Sequence, residues 1–308
     1  NVGWAYKEYT DIYKEVWKLN QSLSGTQKKF RIVNISYRYD WSKYESPRNP
    51  ENMSQVFYRG TPDQFRTHII EKQVLDKNEK AVVYMGLVHT FTRYGMPILK
   101  INNDDFCDYD RGFTGNRLHE KYPGKVTNIM FHMPLGSKHP SKANQVSPAN
   151  GAIEIIMDKN RNTPVGFDLI NTPMGKLADN SYFSLCHSNF KMEDFFDGYI
   201  FIKPFKHLTG CTIDTLYFKG RDWAEIKQQM PDPDWHTASN LEDYYKQIES
   251  YANLRNRYGE VIQKSIPTLQ TGTIDRYPDF PSKYVEARDI DVWLPDNYSP
   301  SKKYAVLY

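Results

Sequence analysis

Apolar positions return every three or four residues near the start of the chain, between residues 5 and 23. The run closes at Ser24-Gly25. This spacing predicts an amphipathic helix. Its apolar stripe consists of Tyr9, Ile12, Tyr13, Val16 and Trp17. We expect that stripe to lie on a sheet, because an apolar helix face needs apolar cover.

Short runs of β-branched and apolar residues predict the strands of a sheet buried on both faces. These runs are Lys29–Ser36, Lys80–Met85, Lys125–Met133, Ala152–Met157, Val165–Ile170 and Gly198–Lys203. Predicted helices alternate with the first three of them, and this order is typical of parallel strands. We therefore expect an α/β fold with a mostly parallel central sheet flanked by helices.

Two of the predicted helices begin with capping boxes. Thr61-Pro62-Asp63-Gln64 opens a helix that runs to about residue 77, and Ser239-Asn240-Leu241-Glu242 opens one that runs to about Gly259. A further helix is predicted over residues 111–121. The polar, proline-containing stretches 37–59 and 135–150 are predicted to be long loops.

Composition narrows the class of protein. With 39% hydrophobic and 25% charged residues, and both signs of charge interspersed, the chain is predicted to fold and be soluble. The net charge of +3 comes without a run of five or six basic residues, so nucleic acid is not an expected partner. No stretch reaches the ~18 apolar residues of a membrane span.

The three cysteines are Cys107, Cys186 and Cys211. Their odd number and wide spacing predict neither a disulfide framework nor a metal knuckle, and we interpret them as packed or incidental thiols. Residues 1–10 lack the pattern of a signal peptide, although the chain begins at Asn1 and a leader could have been removed. The sequence does not fix the compartment, and it slightly favours an extracytoplasmic or periplasmic one.

Three residues are candidates for chemistry. His89 follows a predicted strand through Gly86-Leu87-Val88, where an imidazole can serve as base, acid or metal ligand, or as a hydrogen-bonded structural residue. His132 lies near the end of another strand and has the alternative of a sheet histidine satisfied by a neighbour. Arg66 can bind a carboxylate or phosphate, and its alternative is a solvated helix arginine.

Several common motifs are absent from the sequence. There is no HExxH zinc motif, no GxSxG around a serine nucleophile, no GxGxxG after a strand and no P-loop. A nucleotide cofactor and a serine triad within these residues are therefore disfavoured.

The segment from Phe65 to His89, KVTNIMFHMP at 125–134 and FFDGYIFIKP at 195–204 resemble a known superfamily. It joins erythromycin-esterase-like, ChaN-like haem-uptake and TraB/Tiki proteins, and the resemblance spans about residues 5–260. Gly86-Leu87-Val88-His89 matches a Gly-x-x-His motif of the superfamily, and Arg66 matches an arginine in the preceding helix. The resemblance implies that a first strand, with its own histidine motif and an acidic residue, lies upstream of Asn1.

A second resemblance covers residues 279–308. The run Arg288-Asp289-Ile290-Asp291-Val292-Trp293-Leu294-Pro295 and its flanks are similar to the opening strands of an enterochelin-esterase-type α/β-hydrolase. This resemblance implies a nucleophile beyond Tyr308. The expected organisation is thus an α/β domain over 1–262, a linker over 263–278 and the first strands of a downstream esterase domain in the same chain over 279–308.

The resemblance implies a hydrolase of ester or peptide bonds acting on a small molecule or a peptide. His89 would activate water or hold a divalent metal, Arg66 would orient an anionic group, and His132 would assist from an adjacent strand end. The alternative is a non-catalytic accessory module that binds haem or a similar planar ligand. A third possibility is a domain that has lost its site and only supports its neighbour.

Overall fold

A computed structural model of the chain describes residues 5–99, 107–138, 145–229, 232–234, 236–263, 272–281, 288–295 and 298–303. The chain divides into two compact units, residues 1–264 and residues 265–308.

The first unit contains ten α-helices and seven strands among the described residues. The helices are α1 (Lys7–Ser22), α2 (Pro50–Val56), α3 (Pro62–Ile70), α4 (Thr114–Lys121), α5 (Ala152–Lys159), α6 (Met192–Phe195), α7 (Thr215–Phe218), α8 (Trp223–Gln229), α9 (Leu241–Ala252) and α10 (Leu254–Gln263). The strands are β1 (Met96–Leu99), β2 (Cys107–Asp110), β3 (Ile129–Phe131), β4 (Leu135–Gly136), β5 (Gln145–Val146), β6 (Val165–Asp168) and β7 (Gly198–Phe201). None of the helices described is long and apolar enough to cross a membrane.

The sheets of the first unit are small and mixed. The largest described has three strands in the order β3-β7-β6, with β3 parallel and β6 antiparallel to β7. The pairs β1-β2 and β4-β5 are antiparallel. The fold is therefore α/β in the broad sense, and the expected large, mostly parallel central sheet is wrong.

Three predicted strands are not strands in the structure. Residues 29–36 and 80–85 join no sheet, because no neighbouring strand pairs with them. Ala152–Met157 lies within helix α5, where Ile153 and Met157, four residues apart, are both buried. A short apolar run fits either a strand or a buried helix, and only the packing of Ile153 and Met157 in the folded core decides between them.

The main core lies around the three-stranded sheet. Its largest fully buried side chains are Phe91, Met130, Leu135, Ile153, Leu169, Met192, Phe195, Phe196, Tyr199 and Phe201. A second cluster joins Tyr6 to Ile226, Tyr244 and Ile248. The predicted stripe of α1 is not buried: no residue of that helix is buried, and Tyr13 and Trp17 remain mostly exposed.

A disulfide connects Cys107 to Cys186 across 79 residues of sequence. The interpretation of all three cysteines as free thiols was thus wrong for two of them, and Cys211 stays free. The pair could not be predicted from the spacing of the cysteines in sequence, because Cys107 and Cys186 meet only when folding brings β2 beside the loop that contains Cys186.

The described part of the second unit is a long antiparallel hairpin. Strand β8 (Gly272–Phe280) pairs with β9 (Arg288–Pro295), with a change of register between Tyr277 and Phe280. Strand β8 begins inside the segment that was predicted as a linker, 263–278.

Candidate functional site

The candidate site is built around Asp63, in the first turn of α3. Thr61 accepts a hydrogen bond from the backbone N–H of Gln64, and the Gln64 side chain accepts one from the backbone N–H of Thr61. This confirms the predicted capping box, and Pro62 occupies the first turn, where its missing N–H costs nothing. The capping box fixes the start of the helix and thereby the position of the Asp63 side chain.

His89 lies beside this carboxylate. It belongs to a single turn of 3-10 helix, Leu87–Thr90, which begins after Gly86. Its Nδ1 is 2.9 Å and 3.1 Å from the two carboxylate oxygens of Asp63. Since a carboxylate only accepts, Nδ1 carries the proton and donates it, which leaves Nε2 available. The side chain is 30% exposed, so the ring is open to solvent.

Two further groups converge on Asp63. The backbone N–H and the hydroxyl of Thr114, at the start of α4, donate to Asp63 Oδ1 at 2.9 Å and 2.7 Å. Arg66 Nη1 is 3.8 Å from the same oxygen and makes no hydrogen bond within the described part of the chain. His89 and Arg66, both predicted as site residues, are thus brought to one carboxylate.

The pKa of Asp63 reflects these contacts. Burial by itself would raise the pKa of this carboxyl, but hydrogen bonds and charge from His89, together with the bonds from Thr114, outweigh burial and lower it. Asp63 is therefore an anion at neutral pH. An anionic partner holds the imidazole in one tautomer and one orientation.

Close packing holds α4 against the turn that contains His89. A Cβ on Gly115 would lie 2.4 Å from the carbonyl oxygen of Phe91 and 2.5 Å from that of Thr90. Only glycine permits this approach. The packing places the N-terminus of α4, and with it Thr114, within reach of Asp63.

The structure places His132 in a different, fully buried cluster. Its Nε2 lies 2.7 Å from Glu154 Oε1, its Nδ1 lies 2.6 Å from the Tyr199 hydroxyl, and its ring stacks on Phe205. Glu154 also accepts from the backbone N–H of Phe205. Burial, and then the charge of Glu154, raise the pKa of Tyr199 well above its ordinary value, so the phenol stays protonated. His132 shares no contact with His89.

Asp63 and Thr114 were not predicted as site residues. The sequence did contain one signal, since Asp63 lies three residues before Arg66 and therefore on the same helix face. Thr114 gave none, because its role depends on a helix start that packs against α3 only in the folded chain.

A divalent metal at His89 needs further ligands nearby. Within the residues described, no group of three or more His, Cys, Asp or Glu side chains is placed to hold a metal ion. Asp63 is already bonded to His89 and Thr114. The donor set at His89 thus does not fit a metal centre.

No model of a protein family, no curated protein and no solved structure matches this chain. The superfamily resemblance and the esterase resemblance accordingly stay predictions.

Proposed function

We propose that the Asp63–His89 pair acts as a general base in the hydrolysis of an ester or peptide bond. The observation that carries the proposal is the 2.9 Å hydrogen bond between a partly buried carboxylate and Nδ1 of a partly exposed imidazole. No described residue bonds Nε2 of His89, so this atom is left to act on a substrate or a water molecule. Paired carboxylate and imidazole groups perform this task in many hydrolases.

In the proposed reaction, Nε2 of His89 takes a proton from water while the water oxygen attacks the carbonyl carbon. The resulting imidazolium is stabilised by the Asp63 carboxylate. The tetrahedral intermediate then collapses, the bond from carbon to the leaving oxygen or nitrogen breaks, and His89 returns the proton to that leaving atom. The products are a carboxylic acid and an alcohol or an amine, and no nucleophilic side chain is required.

Arg66 is proposed to bind an anionic part of the substrate. Its side chain is 19% exposed next to the site, and its buried Nη1, 3.8 Å from Asp63, makes no hydrogen bond to a described residue. A guanidinium binds carboxylate and phosphate groups through paired N–H donors. No described contact links His132 to this site, and we propose a structural role for it instead of the assisting role suggested by sequence.

The test measures hydrolysis of a panel of p-nitrophenyl esters and fluorogenic peptides by the whole chain. We expect His89→Ala to lower the rate by about 10²- to 10⁴-fold on whichever probe is cleaved. Asp63→Asn is expected to lower it to a similar extent, because the imidazole loses its partner. His68→Ala, an exposed histidine on the same helix, is the matched control and should leave the rate unchanged.

Two outcomes would overturn the proposal. One is a His89→Ala protein that cleaves the probes as fast as the parent, and the other is a parent that cleaves none of them. Retained activity in His132→Gln, with a lower free energy of unfolding, would support a structural role for that residue.

The alternative is a non-catalytic module that binds haem or another planar ligand. One observation favours it: the His89 ring contacts the edge of an aromatic side chain, Phe113, and its free Nε2 is the atom that ligates haem iron. A titration with haem distinguishes the two functions. A Soret shift that His89→Ala abolishes, without hydrolysis of any probe, supports binding.

Two wider proposals depend on other parts of the chain. The Cys107–Cys186 disulfide supports the proposal that the protein functions in an oxidising, extracytoplasmic compartment, because disulfides are rare in reducing compartments. The hairpin of β8 and β9 is consistent with the start of an esterase domain in the same chain. We propose both on these grounds.

A further inference from the structure

An apolar groove of about 1260 Å³ lies in the first unit, away from Asp63. One side is the predicted stripe of α1, including Ile12, Tyr13 and Val16. The other sides are two extended segments, residues 31–35 and residues 80–85, which we call the groove walls. These are the cores of two segments that were predicted as buried strands.

The groove walls have the composition of strands and lack strand partners. Neither wall contains proline, and both are rich in β-branched residues. Among the described residues, no hydrogen bond reaches a backbone N–H or C=O of either wall. Near the walls, the backbone bonds in the part of the chain that is described lie just outside them. Phe30 bonds the side chain of Asn20, the Ser36 N–H donates to the side chain of Asn34, and the Glu79 N–H donates to the carbonyl of Val74. Unpaired extended backbone is a template for another strand.

The side chains of the walls are also exposed. Val82 is 100% exposed, Tyr84 is 64% exposed and Phe30, beside the first wall, is 60% exposed. These three side chains and Tyr13 of α1, which is 60% exposed, all line the groove. Exposed apolar residues that share one groove indicate an interaction surface more strongly than scattered ones do. Such a surface favours a partner that buries it.

Charge at one end of the groove indicates what that partner carries. Glu79 lies directly before the second wall, and its carboxylate bonds Lys28 and Arg31, at the start of the first wall, at 2.9 Å and 2.6 Å. The lining also contains Lys29 and Lys80, which have no ion-pair partner within the described residues. This cationic excess favours acidic side chains on the partner and disfavours a second copy of the chain, because two copies would bring the same cations together.

We propose that the groove binds an extended segment of another polypeptide as an added β-strand between the two walls. Backbone hydrogen bonds to residues 31–35 and 80–85 would supply affinity, and alternate apolar side chains would cover α1. Acidic residues at the end of the segment would meet Lys29 and Lys80. The second wall leads directly into the turn Leu87–Thr90, so binding would order the backbone next to His89.

The experiment uses the whole chain and four fluorescein-labelled nonapeptides. The first alternates Val and Thr between acidic ends, the second has lysine ends, the third has a central proline, and the fourth is a helix-forming Ala/Leu peptide with acidic ends. We expect saturable binding of the first, at least tenfold weaker binding of the second, and no binding of the third or fourth. Amide exchange should slow at residues 31–35 and 80–85 when the first peptide binds.

Variants make the test specific to the groove. Val82 is fully exposed, so Val82→Glu is expected to leave folding unchanged and to weaken binding at least tenfold. Val82→Thr keeps the branched shape and should bind like the parent. Ile202→Glu changes an exposed apolar residue outside the groove and should also bind like the parent.

Several results would overturn the proposal. Equal binding of the helical peptide, or binding without exchange protection of the walls, would exclude an added strand. Dimerisation that protects both walls without peptide would identify a second copy as the occupant. Binding to lipid vesicles with no preference among the peptides, or no binding of any peptide, would also refute it. None of these results bears on His89 catalysis, which is measured separately.

Discussion

Asp63 receives more polar contacts than any other residue considered for the site. It accepts from His89 and from Thr114 twice, and Arg66 lies near it. In the sequence, Asp63 was only one residue of a predicted helix start. The residues predicted for the site were Arg66 and His89, which both lie next to Asp63 in the structure. Their common partner became visible only when α3, α4 and the turn Leu87–Thr90 were packed together.

The lowered pKa of Asp63 predicts a pH dependence of stability. Because the folded pKa lies below the unfolded value of about 4, the carboxylate stabilises the fold above that pH. The stabilisation is lost as the pH falls through the folded pKa. We expect the free energy of unfolding of the parent to decrease as the pH falls below about 4, and that of Asp63→Asn to decrease by a smaller amount.

Urea unfolding at a series of pH values measures this effect. Asp76→Asn is the control, since Asp76 is exposed and its bond to Lys72 is screened by solvent. If the parent and Asp63→Asn lose stability in parallel on acidification, the assigned role of the carboxylate is incorrect.

At the scale of elements, local signals identified helices better than strands. The predicted capping box at Thr61 is confirmed. The second predicted helix start is off by one residue, because Asn240 rather than Ser239 caps α9, and this helix ends at Ala252 rather than near Gly259. The stretches Ile129–Phe131, Val165–Asp168 and Gly198–Phe201 are strands as predicted, although shorter. A helix start needs only neighbours in sequence, whereas a strand exists only if a distant segment pairs with it.

Gly115 tests how the site depends on the packing of elements. In Gly115→Ala the new Cβ would collide with the carbonyl oxygens of Phe91 and Thr90. Backbone cannot yield as a flexible side chain does, so we expect a loss of about 3 kcal/mol in the free energy of unfolding. Thermal or urea unfolding measures it, and any hydrolytic activity should fall too, since Thr114 moves away from Asp63.

The matched control is Gly25→Ala. A Cβ on Gly25 meets nothing within 4 Å, so its stability should change by less than about 1 kcal/mol. Equal effects of the two substitutions would show that Gly115 is not required for close packing.

At the scale of the molecule, the Cys107–Cys186 disulfide connects distant parts of the first unit. It closes a long loop, because the two cysteines are 79 positions apart in sequence. Loop-closure entropy predicts that Cys107→Ser/Cys186→Ser lowers the free energy of unfolding by about 4 kcal/mol. Urea unfolding of the parent should show the same loss in the free energy of unfolding when a reductant is added.

Cys211→Ser provides the control, because Cys211 is free and exposed. It should unfold like the parent, with the same response to reductant. A double serine variant as stable as the oxidised parent would show that the disulfide does not stabilise this fold.

The sequence by itself determined features that depend on neighbouring residues. It located α1, α3, α4 and the approximate start of α9, the capping box at Thr61, and the two candidate residues His89 and Arg66. Tertiary structure alone decided which extended segments pair, that Ala152–Met157 is helical, which cysteines meet and where His132 points. The physical reason is that caps and periodicity are local, whereas strand pairing, a disulfide and a shared carboxylate require residues far apart in sequence to come together.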